Sequence, residues 1–407
     1  MNCATVKHAL SVTSQVFFCS SPIRLDSYNK CSFGCTYCFA RLRSRNNSPR
    51  GLRVASVAAV AARFDRVANG VVKSALDEFL QRRVALQFGA LQDPFSSFSG
   101  APEVATHLLA VLRKHDYPTI ISTKSGAWMH PKFMRVLDGM NVVIRLSASS
   151  VPESARARVD VGCARFDDTL ARIRWLTHAG IPVMLRIQPV IPGFEQDALR
   201  MTAEAADAGV AGVSFEYLKV PSEDRSVARR LSDALGTDVW GHMLSMGVTR
   251  LGRDYVMRSD KKVGFLRDAR AMCRKKNIDF GAGDTEFIHY SDGGACCAGA
   301  WRHLRGSQPF SANYVGVLQR RRALGQSRVT FADILREWSP RMPISTYLTT
   351  NSRGQSHHEG FTDWQRLLAN RWNGGRSPYS PLMFFGVRSA TTTDRTGFDV
   401  YESRPLL

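Results

Sequence analysis

A chain of 407 residues, 44% of them hydrophobic, can bury a large core, and its length suggests two or three structural units rather than disorder. Its 55 Lys and Arg against 35 Asp and Glu leave a formal charge of +20, which suits a polyanionic partner, with a merely Arg-rich proteome as the alternative source of the charge. Nine irregularly spaced cysteines argue against a secreted disulfide framework, no apolar run approaches the roughly 20 residues a membrane span needs, and residues 1–8 lack a signal-peptide layout, so a reducing cytoplasm and no membrane are expected.

Residues 1–22 read as an N-terminal extension. From 23 to 220, short β-rich runs alternate with amphipathic helical stretches, the pattern of βα units around a parallel sheet. The spacing predicts strands over residues 23–27, 84–89, 118–123, 141–147, 182–188 and 212–217. Helices are expected over 102–114, 131–137, 166–179 and 198–208, after a long, partly helical insertion over 54–83. Phe166, Leu170, Ile173 and Leu176 form one apolar helix face, and Gly180 ends that helix. Six such units make an α/β fold with an open, partial (β/α)6 barrel.

Residues 221–300 extend the barrel, with helices at 223–234 and 261–276, a further strand at 277–282 and a cysteine-containing loop. Residues 301–407 form a basic, aromatic-containing α+β extension, a capping or substrate region that includes Trp301, Trp338, Trp364, Trp372 and Phe384. Such aromatics suit stacked bases, and equally the core of a small cap. Charge does not separate the parts. Residues 221–407 hold 28 Lys and Arg against 18 Asp and Glu, so +10 lies on each side of residue 220.

The first predicted strand leads into Cys31-Ser-Phe-Gly-Cys35-Thr-Tyr-Cys38. Three thiolates at this spacing can surround one centre, and iron–sulfur clusters and zinc favour that ligand. Structural zinc calls for a fourth ligand nearby, yet after Cys38 there is no cysteine before Cys163 and no histidine before His107. A three-thiolate cluster with one open iron is the better reading, and zinc is its rival.

This spacing, with an aromatic before the last cysteine, resembles the signature of radical S-adenosylmethionine (SAM) enzymes. The longer string is similar to the spore photoproduct lyase-like branch: Tyr28, Cys31, Cys35, Tyr37, Cys38, Ala40 and Arg41 match, with Phe39 for Tyr and Ser27 for Pro. The resemblance implies a [4Fe–4S] cluster on Cys31, Cys35 and Cys38 whose open iron chelates SAM. It also implies reductive cleavage of SAM to a 5′-deoxyadenosyl radical that acts on a substrate, and a one-electron reductant such as flavodoxin or ferredoxin. Whether the reaction is of lyase or transferase type stays open.

By the same resemblance, Tyr37 lies beside the adenine. Gly89-Ala-Leu-Gln-Asp93-Pro94-Phe95 is similar to the branch's Gly-x-x-x-Asp-Pro segment, so Asp93 is expected at the SAM ammonium; the chain departs from the pattern at Ser96. Thr123-Lys124-Ser125 matches a Thr-Lys-Ser segment, with Lys124 for the SAM carboxylate and Ser147 as a further donor. Arg158, Asp160 and Arg172 lie around another similar segment and read as a structural set.

Independently of any family, loops 31–38, 90–95, 124–125, 147–150 and 189–194 follow strand C-termini, where α/β sheets carry their chemistry. Cys273, Cys296 and Cys297 remain, as a second iron–sulfur cluster or metal site, as a thiol acting on the substrate (Cys296 or Cys297), or as ordinary cysteines. The substrate reading names a nucleic acid, DNA or RNA, held by Arg320, Arg321, Arg322 and the 261–276 helix. Its alternatives are a small molecule, and a non-catalytic nucleic-acid-binding protein with a structural metal site. Spore photoproduct lyase uses a hydrogen-donating cysteine beyond its cluster motif; with none between Cys38 and Cys163, strict thymine-dimer repair is not expected.

Overall fold

Eight strands make the main sheet: β1 (Leu10–Val12), β2 (Ile23–Leu25), β3 (Leu86–Phe88), β4 (Thr119–Thr123), β5 (Val142–Ala148), β6 (Val183–Val190), β7 (Gly212–Tyr217) and β8 (Asp279–Ala282). Their spatial order is their chain order, and every neighbouring pair from β2 to β8 is parallel; β1 alone is antiparallel, against β2. The computed structural model describes residues 4–6, 9–38, 40, 51–99, 103–348, 359–374 and 379–404. Phe39, Arg41 and Pro102 lie outside the described residues.

The six expected strands are all present, and β8, the strand expected at 277–282, extends the same sheet. When parallel strands are added one beside the next, crossovers of a single hand put every helix on one face. Leu86, Phe88, Ile121, Ile144, Leu146, Leu185, Ile187, Val213 and Phe215 accordingly share a core with Leu108, Leu109, Ile173 and Leu176 from the helices. The alternate residues Ala85, Ile120, Val143 and Met184 face the other way, and all four meet one plug of Cys19, Ala295, Cys297, Ala300 and Leu304. Four adjacent strands can share so small a plug only if the sheet curls around it. β1 and β8 are the two ends of the sheet, so the barrel is partial.

Local chemistry sets the helices. Ser56 caps Val57–Ala68 by accepting from the Ala59 N–H, and Ser74 caps Ala75–Gln81 in the same way from Asp77. The 54–83 insertion is therefore two capped helices behind a short strand, Arg53–Ala55. Helix Phe166–His178 buries the face read from its periodicity. Helix Ala105–Lys114 begins three residues later than the spacing suggested.

In the C-terminal part, Arg328–Val329, Val387–Thr393 and Asp399–Ser403 form an antiparallel sheet beside helices Tyr314–Ala323 and Asp363–Trp372. Trp364 and Trp372 are buried, and their indole N–H groups donate to Ala312 O and Asp399 O. These aromatics form a core. The arginine triplet has internal partners too. Arg320 pairs with Glu337 and donates to Asp333 O, Arg321 donates to Arg328 O, and Arg322 donates to His289 O while lying 4.6 Å over the Tyr290 ring. Part of each guanidinium in the triplet expected to lead a nucleic-acid contact is therefore engaged within the cap, and all three side chains are half-buried.

Helix Ser259–Lys275 divides its charge. Lys262 is fully buried between Asp284 (2.6 Å) and Glu286 (2.8 Å), while Lys261, Arg267, Arg274 and Lys275 are exposed. No described helix is long and apolar enough to cross a membrane.

Candidate active site

β2 hands the chain to the cysteine loop. At the loop's base, Asp26 accepts from the N–H groups of Ala90 and Leu91, each at 3.1 Å, tying it to the loop after β3. Farther along, the N–H groups of Gly34 and Thr36 donate to the Val161 and Val159 carbonyls, each at 3.0 Å. Gly34 must lack a side chain here, since a Cβ would sit 2.9 Å from Val161 Cγ1. Gly89, at φ 83°, has no room either: a Cβ would lie 2.4 Å from Pro94 Cδ and 2.7 Å from Ser122 O.

Cys31 receives the Ser96 hydroxyl at 3.6 Å and the backbone N–H groups of Asp93 and Phe33; burial nevertheless pushes its thiol pKa up. Donors aimed at sulfur are the contacts that stabilise and tune a metal-bound thiolate. Ser96, where the chain departs from the branch's string, is one of them. Cys38 is half-buried, and its N–H donates to Cys35 O at 3.3 Å.

The Cys35 sulfur lies 3.6 Å from that of Cys163. With Asp160 they form a group whose ligating atoms all lie within 4.8 Å, the one such group among the described residues. Cys163 belongs to no motif and stands 128 positions from Cys35, so nothing local announces it. The Cys163 contact and the Lys124 ammonium draw Cys35 down to about 7 against the opposing effect of burial.

Asp160 is the hub of the mouth. Its carboxylate is 2% exposed and accepts from the Tyr37 hydroxyl, Lys124 Nζ (3.0 Å), the Ser149 N–H (3.1 Å) and Oγ (2.7 Å), and Arg156 Nη1 (3.1 Å). Burial alone would raise its pKa; Lys124 and the other donors outweigh that and hold it at about 2. The expected partners of Asp160 do not join it. Arg158 turns to Ala234 O, and Arg172 lies beside Gly126.

Lys124 also lies 5.2 Å over the Tyr37 ring, and although burial penalises its charge, Asp160, Cys35 and Cys163 raise its pKa. Asp93 is inward and occupied. It accepts from Thr123 Oγ1 (2.8 and 3.0 Å), the Lys124 N–H (2.7 Å) and the Phe95 N–H (3.0 Å), with burial pushing its pKa up. It braces the turn that carries Lys124. Ser147 is half-buried on the inner face of β5, in register with Arg186 of β6.

The later cysteines separate. Cys273 lies in the helix-side core, where burial, Asp292 and Asp279 push its thiol up to about 12. Cys297 belongs to the plug on the opposite face of the sheet, with Cys19, and Cys296 lies close enough to raise the pKa of both. Cys273, Cys296 and Cys297 do not form a group of ligating atoms within 4.8 Å of one another among the described residues; Cys273 lies in the helix-side core, against which Cys296 also packs, and Cys297 in the plug. Cys19, unremarked in the sequence, is the neighbour of the other two.

No family model matches the chain, and no curated protein matches it. Solved structures do. One is spore photoproduct lyase complexed with dinucleoside spore photoproduct, at 16% identity over 65% of this chain and 78% of that one, with a TM-score of 0.47. The chain is similar to spore photoproduct lyase. A variant of that enzyme with bound AdoMet and dinucleoside spore photoproduct matches at 17% identity over the same shares, TM-score 0.46. SuiB of Streptococcus suis matches at 12% over 67% of this chain and 52% of that one, TM-score 0.41. The likeness is one of chain path at low identity, and function rests on the residues above.

Proposed function

We propose that this chain is a radical SAM enzyme in which Cys31, Cys35 and Cys38 hold a [4Fe–4S] cluster and SAM occupies the mouth beside Tyr37, Lys124 and Ser147. The observation that carries the proposal is the pinning of the cysteine loop, at the C-terminal end of the first parallel strand, onto the loop of Asp160. The donor set fits the group: three cysteines on one loop, Cys31 supplied with N–H and O–H donors, and a cation fixed beside Cys35.

When bound, the cluster and SAM supply one-electron cleavage and the radical that abstracts hydrogen. This chain's residues position and enclose. Lys124 offers positive charge to the SAM carboxylate, Asp160 fixes Lys124 and the Tyr37 hydroxyl, and Asp93 fixes the turn behind them. The plug around Cys297 shuts the inner end of the chamber from water. We assign catalysis to residues 23–220, completed by β8 in 221–300, and capping to 301–407, with a one-electron reductant such as flavodoxin or ferredoxin in the cytoplasm. A nucleic-acid substrate now rests on the net charge and the exposed face of Ser259–Lys275. A second cluster on Cys273, Cys296 and Cys297 is not part of the proposal.

Anaerobic reconstitution with iron and sulfide tests it. The expected result is a brown protein that converts SAM to 5′-deoxyadenosine under a strong reductant. A colourless zinc protein inert to SAM would instead favour a non-catalytic, metal-stabilised binding protein.

A further inference from the structure

On β5, Ile144 and Leu146 face the helices, whereas Val143, Arg145 and Ser147 face the chamber. Arg145 is 3% exposed. Its Nε and Nη2 both donate to a single atom, Ser122 Oγ on β4, at 3.0 and 2.8 Å, and Nη1 has no hydrogen-bond partner. The like charge beside it is another guanidinium, Arg186, and the Cys296 thiol lies within hydrogen-bond reach with Cys297 close by; burial first, then Arg186, make its protonated form harder to keep, against the two cysteines.

The other chamber cations are answered. Arg24 has Asp26 at 3.8 Å, Lys124 has Asp160, and Arg186 has Glu216 at 2.6 Å, although Glu216 is shared with Lys219 and Gln188. Arg145 forms no ion pair among the described residues. A buried guanidinium without a counter-ion is strongly unfavourable, and its planar fork matches a carboxylate or a phosphate.

Two further side chains on this face have unused capacity. Gln87 of β3, in register with Ile120 of the plug core, is 8% exposed with no partner for Oε1. Ser214 of β7, in register with Arg186, is 2% exposed with no partner for Oγ. Two strands thus carry buried donors without partners on this face, Arg145 Nη1 and Ser214 Oγ, while the Gln87 oxygen, an acceptor, stands by Cys297 of the plug.

We infer that the chamber binds the anionic group of the substrate, a carboxylate or a phosphate, on Arg145, with Ser122 setting the plane of the guanidinium. The inference rests on the chamber being the catalytic one, and it assigns the substrate class: a molecule whose anionic end reaches past the mouth.

The test uses reconstituted full-length protein and two probes, inorganic phosphate and acetate, titrated at constant ionic strength against chloride. A rise in Tm that grows with the logarithm of concentration above the midpoint is expected with one of them, and that one identifies the source; Arg145→Met should abolish the rise. Arg145→Lys keeps the charge but not the planar fork, and decides even if Arg145→Met does not fold: in equilibrium dialysis its midpoint for the same anion should rise on the order of tenfold. An equal Tm rise in Arg145→Met, an unchanged midpoint in Arg145→Lys, or no binding of either anion to the wild type overturns the inference. Failure of the wild type to cleave SAM would sink the enzyme proposal while leaving these binding outcomes as they stand.

Discussion

Lys124 Nζ and Asp160 Oδ1 lie 3.0 Å apart with side chains 16% and 2% exposed, and this pair ties the turn after β4 to the loop that receives the cysteines. Removing one partner of a buried pair leaves the other uncompensated, at a cost of about 3–5 kcal/mol. Asp160→Asn should therefore lower stability to denaturant by an amount of that order and weaken SAM binding. Unchanged denaturation would show that Asp160 is not the hub.

The same carboxylate predicts an acid limb. Its folded pKa, about 2, lies below the ordinary Asp value of about 3.9, so its stabilisation is present above pH 4 and is lost as pH falls toward 2. The linked free energy is about 2–3 kcal/mol. Denaturation midpoints measured from pH 6 to pH 2.5 should fall more steeply for the wild type than for Asp160→Asn, and parallel slopes would refute the assignment.

Lys124→Ala and Asp93→Ala should separate two roles. Losing a charge-assisted contact costs about 1.5–3 kcal/mol, so Lys124→Ala should weaken SAM binding by roughly that amount with iron content kept. Asp93→Ala leaves the Lys124 and Phe95 N–H groups without their acceptor, and should cost stability as well as affinity. Equilibrium dialysis with SAM and chemical denaturation read the two effects.

Substituting any of Cys31, Cys35 or Cys38 by Ala should abolish both iron binding and 5′-deoxyadenosine formation. Cys163→Ala should keep the cluster, because Cys163 approaches Cys35 from a different loop. Iron and sulfide analysis checks both statements, and a cluster lost with Cys163 would make it a ligand.

Charge reversal at Arg320, Arg321 and Arg322 should act on the fold. Their partners are Glu337, Asp333 and backbone carbonyls, so the triple Glu variant should unfold at lower denaturant by at least about 1 kcal/mol per broken contact. A stable variant with a flattened salt dependence of nucleic-acid binding would reverse this view.

Periodicity is a local property, and it was enough to set the six strands, the helix face of Phe166, Leu170, Ile173 and Leu176, and the three-cysteine loop at a strand's C-terminal end. Capping serines are equally local, since each answers a backbone need within its own turn, whereas Gly34 answers to Val161 and Gly89 in part to Ser122, far along the chain. What meets across the chain is not local. Cys163 joins Cys35, and Asp160 joins Tyr37 and Lys124, only because the curled sheet brings the loops after β2, β4 and β5 to one end, with β3 between β2 and β4. That Asp93 also holds Thr123 and Lys124 is not written in its own segment, because those residues belong to the next strand. Arg145 shows the limit most clearly. A strand buried on both faces reads as one apolar run, so alternation says that Arg145 and Ile144 point opposite ways, while only the register with Ser122 and the plug behind Val143 say which way leads into the chamber.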